Sequence, residues 1–242
     1  MKIHIITLFP EVFDSFLSTS LLAKAKKNWI LDFDFVNPRD FCSDKHQQVD
    51  DQVYGGGAGM LIKAQPVIDA VEHVISSFSS WKSAKNTQSN STQQWKIVFP
   101  SPSVETFTQK TAYGLSKLDH IIFVCGRYEG IDYRFEEYMM AKYPSAFSKV
   151  SLGQFILLGG EIATMTMIEA VTRLVPGVIK EKESWQNESY NLKTGMNNLE
   201  FPQYTRPEEV YGLRVPEVLL TGNQEEIQQR RKNNEKSLDF MQ

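Results

Sequence analysis

The sequence predicts an α/β protein with a mainly parallel sheet, followed by a small second domain. Three observations predict it. Short apolar, β-branched runs alternate with segments whose apolar residues recur at helical spacing. Glycine-bearing turns follow those runs, where an open parallel sheet carries its ligands. After Val178 the periodicity stops and the chain becomes polar and turn-rich. The 242 residues, 41% of them hydrophobic, suffice for one large core and a small appendage without disulfides or a structural metal.

The elements follow in order. Residues 3–8, IHIITL, read as a buried strand, and Phe9-Pro10 opens a helix with Pro10 near its first position. Val12, Phe13, Phe16, Leu17 and Leu21 give that helix one apolar face. Ile30–Val36 alternates as a strand. A polar stretch leads to the glycine run Gly55–Met60, and a helix begins near Pro66 with Val67, Ile68, Val71, Val74, Ile75 and Phe78 on one face. Residues 79–94, rich in Ser, Asn, Gln and Thr, read as a mobile surface loop. Lys96–Phe99 is a short strand, and after Pro100-Ser101-Pro102 a helix runs to about Leu118. Ile121–Cys125 is a buried strand ending in GRYEGID. A weaker helical stretch leads to Ser151-Leu152-Gly153 and the apolar run FILLGGE. Met165–Val175 is an amphipathic helix stopped by Pro176-Gly177. The domains expected are thus 1–178, a linker 179–195, and a C-terminal part 196–242 of short helices.

Composition excludes several classes. No apolar run approaches the ~18 residues of a membrane helix. The start, MKIHIITLFPEVF, lacks the long apolar stretch and small-residue cleavage site of a signal peptide. Cys42 and Cys125 alone make neither a disulfide framework nor a zinc-ligand spacing, so no metal site is expected. These features predict a cytoplasmic protein. With 26 Lys and Arg against 29 Asp and Glu, the net charge is −3, which argues against non-specific nucleic-acid binding but allows a local basic patch for one folded RNA.

Four turns stand out: the glycine-containing GGGAGM, CGRYEG and LLGGE, and the proline-rich loop after Phe99. Any one alone is a tight turn. Three at successive strand ends point to a ligand site, where glycine lets backbone approach a ligand. GGGAG lacks the Lys-Ser/Thr of a phosphate loop, and no strand leads into G-x-G-x-x-G. Loops of glycine, proline and apolar residues suit a neutral or cationic ligand better than a triphosphate. By spacing alone Arg173 lies opposite the apolar side of its helix and pairs with Glu169, and Glu188 is one more glutamate of a polar linker. The basic cluster Arg230, Arg231, Lys232 and Lys236 reads as a solvated helix face.

Together, ITLFPEVF, NPRDF, VDDQVYGGGAGM, CGRYEGID, LLGGE, TRLVPGV, QYTRP and LTGNQEEI, in this order, resemble the bacterial tRNA (guanine-N1)-methyltransferases of the TrmD type, in the SPOUT superfamily. The likeness spans nearly the whole chain outside 79–94. It implies a SPOUT-type parallel sheet with a deep trefoil knot plus a small helical C-terminal domain that binds tRNA. It also implies a pocket for S-adenosyl-L-methionine, walled by Phe99, Pro100, Ser101 and Pro102, by Gly126, Tyr128 and Glu129, and by Leu152, Gly153, Gln154, Phe155, Ile156, Leu157, Gly159 and Gly160. The partners implied are tRNA and a second copy of the chain in a homodimer, with neither membrane nor DNA. The implied product is 1-methylguanosine at tRNA position 37.

The chemistry is consistent with that resemblance. Guanine N1 carries a proton, and a carboxylate within hydrogen-bond reach can remove it. Negative charge then grows on O6, where a fixed guanidinium stabilises it. The family arginine for this task aligns with Arg173, and its general-base aspartate with Glu188. A second family aspartate aligns with Glu200, nearer QYTRP, and competes for the base. Gln154 and Phe155 replace an aspartate and a tyrosine, and Ala163, Val53 and Ala58 stand where proline is usual. Two other readings follow: a SPOUT-fold RNA-binding protein that keeps the pocket with weak or lost catalysis, and an unrelated α/β nucleotide hydrolase, which the missing phosphate-loop lysine disfavours.

Overall fold

Strand after strand, the apolar runs enter one parallel sheet. In this computed structural model, residues 1–84, 94–103, 105–180, 188–190, 198–234 and 236–237 are described. They divide into two units, Met1–Ile179 and Lys180–Gln242.

In the first unit β1 (Lys2–Ile6) and β2 (Asp32–Val36) pair in parallel, as do β1 and β6 (His120–Val124). A hairpin, β3 (Asp50–Gln52) and β4 (Met60–Ile62), stands apart from the sheet. With β5 (Trp95–Pro100) and β7 (Phe147–Val150) the order is β2-β1-β6-β5-β7, all parallel. β6 is buried along its whole length, as a strand covered on both faces must be. Ile6, Ile97, Phe99, Ile122 and Val124 pack in one cluster with the helix at Ala64–Ala84. Their alternate neighbours Ile3, Ile5, Val98, Ile121 and Phe123 are buried by the period of two and belong to the opposite face.

The helices are α1 (Asp14–Leu17), α2 (Ser20–Lys27), α3 (Ala64–Ala84), α4 (Gln109–Leu115), α5 (Arg134–Lys142) and α6 (Gly160–Thr172). Several differ from the sequence reading. The first expected helix is a 3-10 turn, Pro10–Phe13, then α1 and α2, parted where the Ser18 and Thr19 hydroxyls donate back to the Ser15 carbonyl. α3 continues to Ala84, through residues expected in a loop; 85–93 lie outside the described residues. α4 begins only at Gln109, where the Thr108 hydroxyl caps the Thr111 N–H. β7 escaped notice because Phe147-Ser148-Lys149-Val150 has only two apolar residues. The run Phe155–Leu158, apolar in sequence, is an exposed loop rather than a strand. α6 starts at Gly160, five residues before the apolar periodicity.

The second unit is more mixed than the short helices expected. It holds a hairpin of β9 (Glu209–Val210) and β10 (Leu213–Arg214), the pairing of β8 (Asn198–Leu199) with β11 (Lys236–Ser237), and α7 (Gln224–Asn234). The hairpin turns through Tyr211 and Gly212, both at positive φ, as a tight two-residue turn demands. Ile227 anchors α7 by burial. Among the described residues no helix is long and apolar enough to cross a membrane.

Beneath α3 a polar chain crosses the sheet. His4 Nδ1 lies 3.0 Å from Asp34, His4 Nε2 lies 3.1 Å from His120 Nδ1, and the His120 ring stacks on Phe78. Burial lowers the pKa of both histidines from the ordinary 6.5, that of His120 to about 4, although Asp34 pulls His4 back upward. A folded-state value below the unfolded one means stability that is present above pH 6.5 and is lost as pH falls towards 4. Thermal melts between pH 7.5 and 4.5 should therefore show a steep loss of stability below about pH 6.5, and His120→Gln should flatten that slope.

Candidate functional site

The carboxyl ends of three adjacent strands, β6, β5 and β7, open into one cavity of about 340 Å³. β5 is the switch point, since the chain leaves it for β6 on one side and reaches β7 on the other. That is where open α/β sheets bind ligands. Phe99, Pro100, Ser101 and Pro102 form the wall after β5. Gly126, Tyr128 and Glu129 line the wall after β6. Leu152, Gly153, Phe155, Ile156, Leu157, Gly159 and Gly160 line the third, after β7. Gln154 is exposed and is not among the lining residues. Arg127, Ser151, Leu158 and Ala163 also line the cavity. Arg127 stands inside CGRYEG and was readable there as a wall residue.

Close backbone approach fixes the site. The Gly160 N–H donates to the Gly126 carbonyl at 2.8 Å, and Arg127 bridges Gly159 in antiparallel fashion. A Cβ on Gly160 would lie 2.9 Å from Cys125 Cα and 3.0 Å from Gly126 N, so no side chain fits there. The loop after β7 is also held, by Ser151, whose N–H and carbonyl bond Glu105 and Phe107.

The GGGAGM run, away from the five-stranded sheet, packs against the loop after β6. It turns the β3–β4 hairpin, with Gly55, Gly56, Gly57 and Gly59 all at positive φ. The Glu129 N–H donates to the Met60 carbonyl, and the Ile62 N–H donates to Gly130. A Cβ on Gly59 would strike the Glu129 side chain. Sequence spacing alone gave no sign of this docking.

Behind the wall lies a buried ion pair. Glu161, 1% exposed in its side chain, sits at the start of α6 with an oxygen 2.8 Å from Arg127 Nε, although the Nε–H is not aligned for a hydrogen bond. Its other oxygen accepts from the Thr7 hydroxyl at 2.9 Å. The Arg127 guanidinium lies over the Phe9 ring. Cys125, fully buried beside Gly126, contacts the Thr164 hydroxyl, and burial pushes its thiol pKa up.

Arg173 caps the C-terminal end of α6, half-buried, its N–H on the Glu169 carbonyl. Glu188 and Glu200 both fall in the second unit. The Glu200 N–H donates to Ser189 Oγ at 2.9 Å, which brings the two candidate bases into one local assembly. The Glu200 carboxylate also accepts from the Gln203 amide.

What this arrangement binds follows from its charge. Among the described residues that line the cavity there is no lysine, the one arginine pairs with Glu161, and Glu129 adds a carboxylate. A triphosphate finds no free cation there; a neutral or cationic ligand meets no repulsion. The packing makes a distinction testable by unfolding. Gly160→Ala should destabilise the chain by about 1–3 kcal/mol, the scale of overpacking against backbone. Gly126→Ala, whose Cβ would make ordinary contacts with the Phe99 ring at 3.6 Å and Ile131 at 3.8 Å, should leave the urea midpoint nearly unchanged.

Comparison with known proteins adds the family. The family model described as tRNA (Guanine-1)-methyltransferase TrmD matches residues 1–239. A tRNA (guanine-N(1)-)-methyltransferase of Clostridium perfringens (strain SM101 / Type A) is 44% identical over 232 residues, covering 96% of this chain and 87% of that protein. One of the same description from Staphylococcus aureus (strain JH9) is 42% identical over 227 residues, covering 94% and 82%. With that identity sustained over most of both relatives' length, the chain belongs to the TrmD family of tRNA (guanine-1)-methyltransferases.

Proposed function

We propose that this chain transfers a methyl group from S-adenosyl-L-methionine to N1 of guanosine 37 in tRNA. The observation that carries the reading is the glycine-cradled cavity without a free cation, in a chain of this family. The donor is a sulfonium cation, and the partly apolar walls, with the Glu129 carboxylate among them, fit it. Phe99–Pro102, Gly126–Glu129 and Leu152–Gly160 would hold it. When bound, it supplies an electrophilic methyl.

The work of the protein is then positioning and proton removal. Glu188 takes the N1 proton, and Arg173 offsets the charge that grows on O6. Glu200, whose N–H donates to Ser189 Oγ beside Glu188, remains the competing candidate for the base. The return of the segment after β7 onto the loop after β6 supports a deep trefoil knot. In this reading the first unit holds the donor and the second binds tRNA, in the cytoplasm. The homodimer is supported by an exposed apolar surface: Ile156 is 79% exposed and Leu158 91%, with Phe155 and Ile162 also exposed.

Single-turnover methylation of a tRNA with 5′-GG at positions 36–37 tests the activity and separates it from an RNA-binding protein without catalysis. Glu188→Gln should keep tRNA and donor affinity and slow the step by about 100-fold or more, the scale of a lost general base. Glu188→Asp should retain activity. Normal rates for Glu188→Gln beside an inactive Glu200→Gln would assign the base to Glu200. In sedimentation at micromolar concentration the wild type should run as a dimer and Ile162→Glu as a monomer; a fully active wild-type monomer contradicts the dimer.

A further inference from the structure

The basic end of α7 is not simply a solvated face. Ile227, Arg230, Arg231 and Asn234 follow one another at i, i+3, i+4 and i+7, the spacing of a single helical stripe. Ile227 is buried, so the stripe faces the unit's interior at that end. Its polar continuation lines a cavity of about 210 Å³, opposite Phe201, Gln203 and Tyr204. The Arg231 guanidinium lies over the Phe201 ring, 5.1 Å from its centre. Tyr204 and Arg231 are both exposed. Among the described residues, two arginines and no carboxylate line the cavity, in a chain whose net charge is −3.

We propose that this cavity takes one unstacked nucleotide of the tRNA, a proposal that rests on the reading of tRNA as substrate. Its volume falls below the ~300 Å³ at which pockets for whole small ligands begin, so it suits one ring system of a larger molecule. Single-stranded RNA is held by stacking bases on aromatic rings and arginine planes, with cations on the backbone. Tyr204 and the Phe201–Arg231 stack supply the flat surfaces. Arg230 and Arg231 supply the charge for phosphate. An acidic peptide would use the arginines alike but would draw little from the flat surfaces.

The test measures binding of full tRNA, and of a single-stranded oligonucleotide with the anticodon-loop sequence, between 50 and 200 mM salt. Tyr204→Ala should weaken both by about fivefold or more with an unchanged salt slope, the scale of one lost stacking contact. Arg230→Gln and Arg231→Gln should weaken both and each lower the slope of log affinity against log salt by about one. Donor affinity, read by calorimetry, should stay the same in all three. Wild-type affinity and slope in every variant overturn the nucleotide site, as does an effect of the arginines with none of Tyr204, which leaves only phosphate attraction. Variants that lose oligonucleotide affinity in a chain that methylates no tRNA would sink the catalytic reading and leave the pocket standing. A wild type that binds neither RNA sinks both.

Discussion

The site depends on a contact between two backbones. α6 begins where Gly160 meets Cys125 and Gly126, at a separation no side chain tolerates. That approach brings the end of the loop after β7 onto the loop after β6, so two of the three cavity walls share a seam. Glu161, one residue on, is held there by Thr7 from the end of β1 and by Arg127 from the loop after β6. A carboxylate in the first turn of a helix gains from the helix dipole. A buried carboxylate without partners would cost several kcal/mol, and an ion pair offsets that cost rather than adding net stability. The pair therefore specifies position: it allows one arrangement of three strand ends.

That same pair sets the electrostatics of the cavity. Arg127 reaches the lining, yet its charge is matched by a carboxylate behind it and its plane by the Phe9 ring. The wall is stiff without being cationic. The proposed methyl donor is positively charged, and a free arginine in the wall would repel it.

Much of the fold was legible in the sequence, and the failures have physical reasons. β1, β2, β5, β6 and α3 show themselves through apolar runs and helical spacing, because burial on one or two faces dictates those patterns. β7 is short and edges the sheet, so its alternation carries little signal. The start of α6 was missed because Gly159 and Gly160 read as a turn, whereas the helix uses them for close approach. Phe155–Leu158 looked like core and is exposed, since an apolar run does not reveal what covers it. At the site, two walls show themselves as glycine turns and the third as the Pro-Ser-Pro turn at the end of β5. The docking of GGGAGM on Glu129, and the seat of Arg230 and Arg231 opposite Phe201, join segments far apart in sequence, and no local pattern encodes them.

Cys125 has a chemical consequence for a methyltransferase. A thiolate is a far stronger nucleophile than a guanine nitrogen, and a thiol, that of Cys125, stands beside the wall residue Gly126. Burial disfavours its ionisation, and the Thr164 hydroxyl is its polar neighbour. The sulfur stays protonated and sequestered behind Gly126. With the proposed donor in the cavity, burial keeps this neighbouring sulfur uncharged and so a poor acceptor of its methyl group.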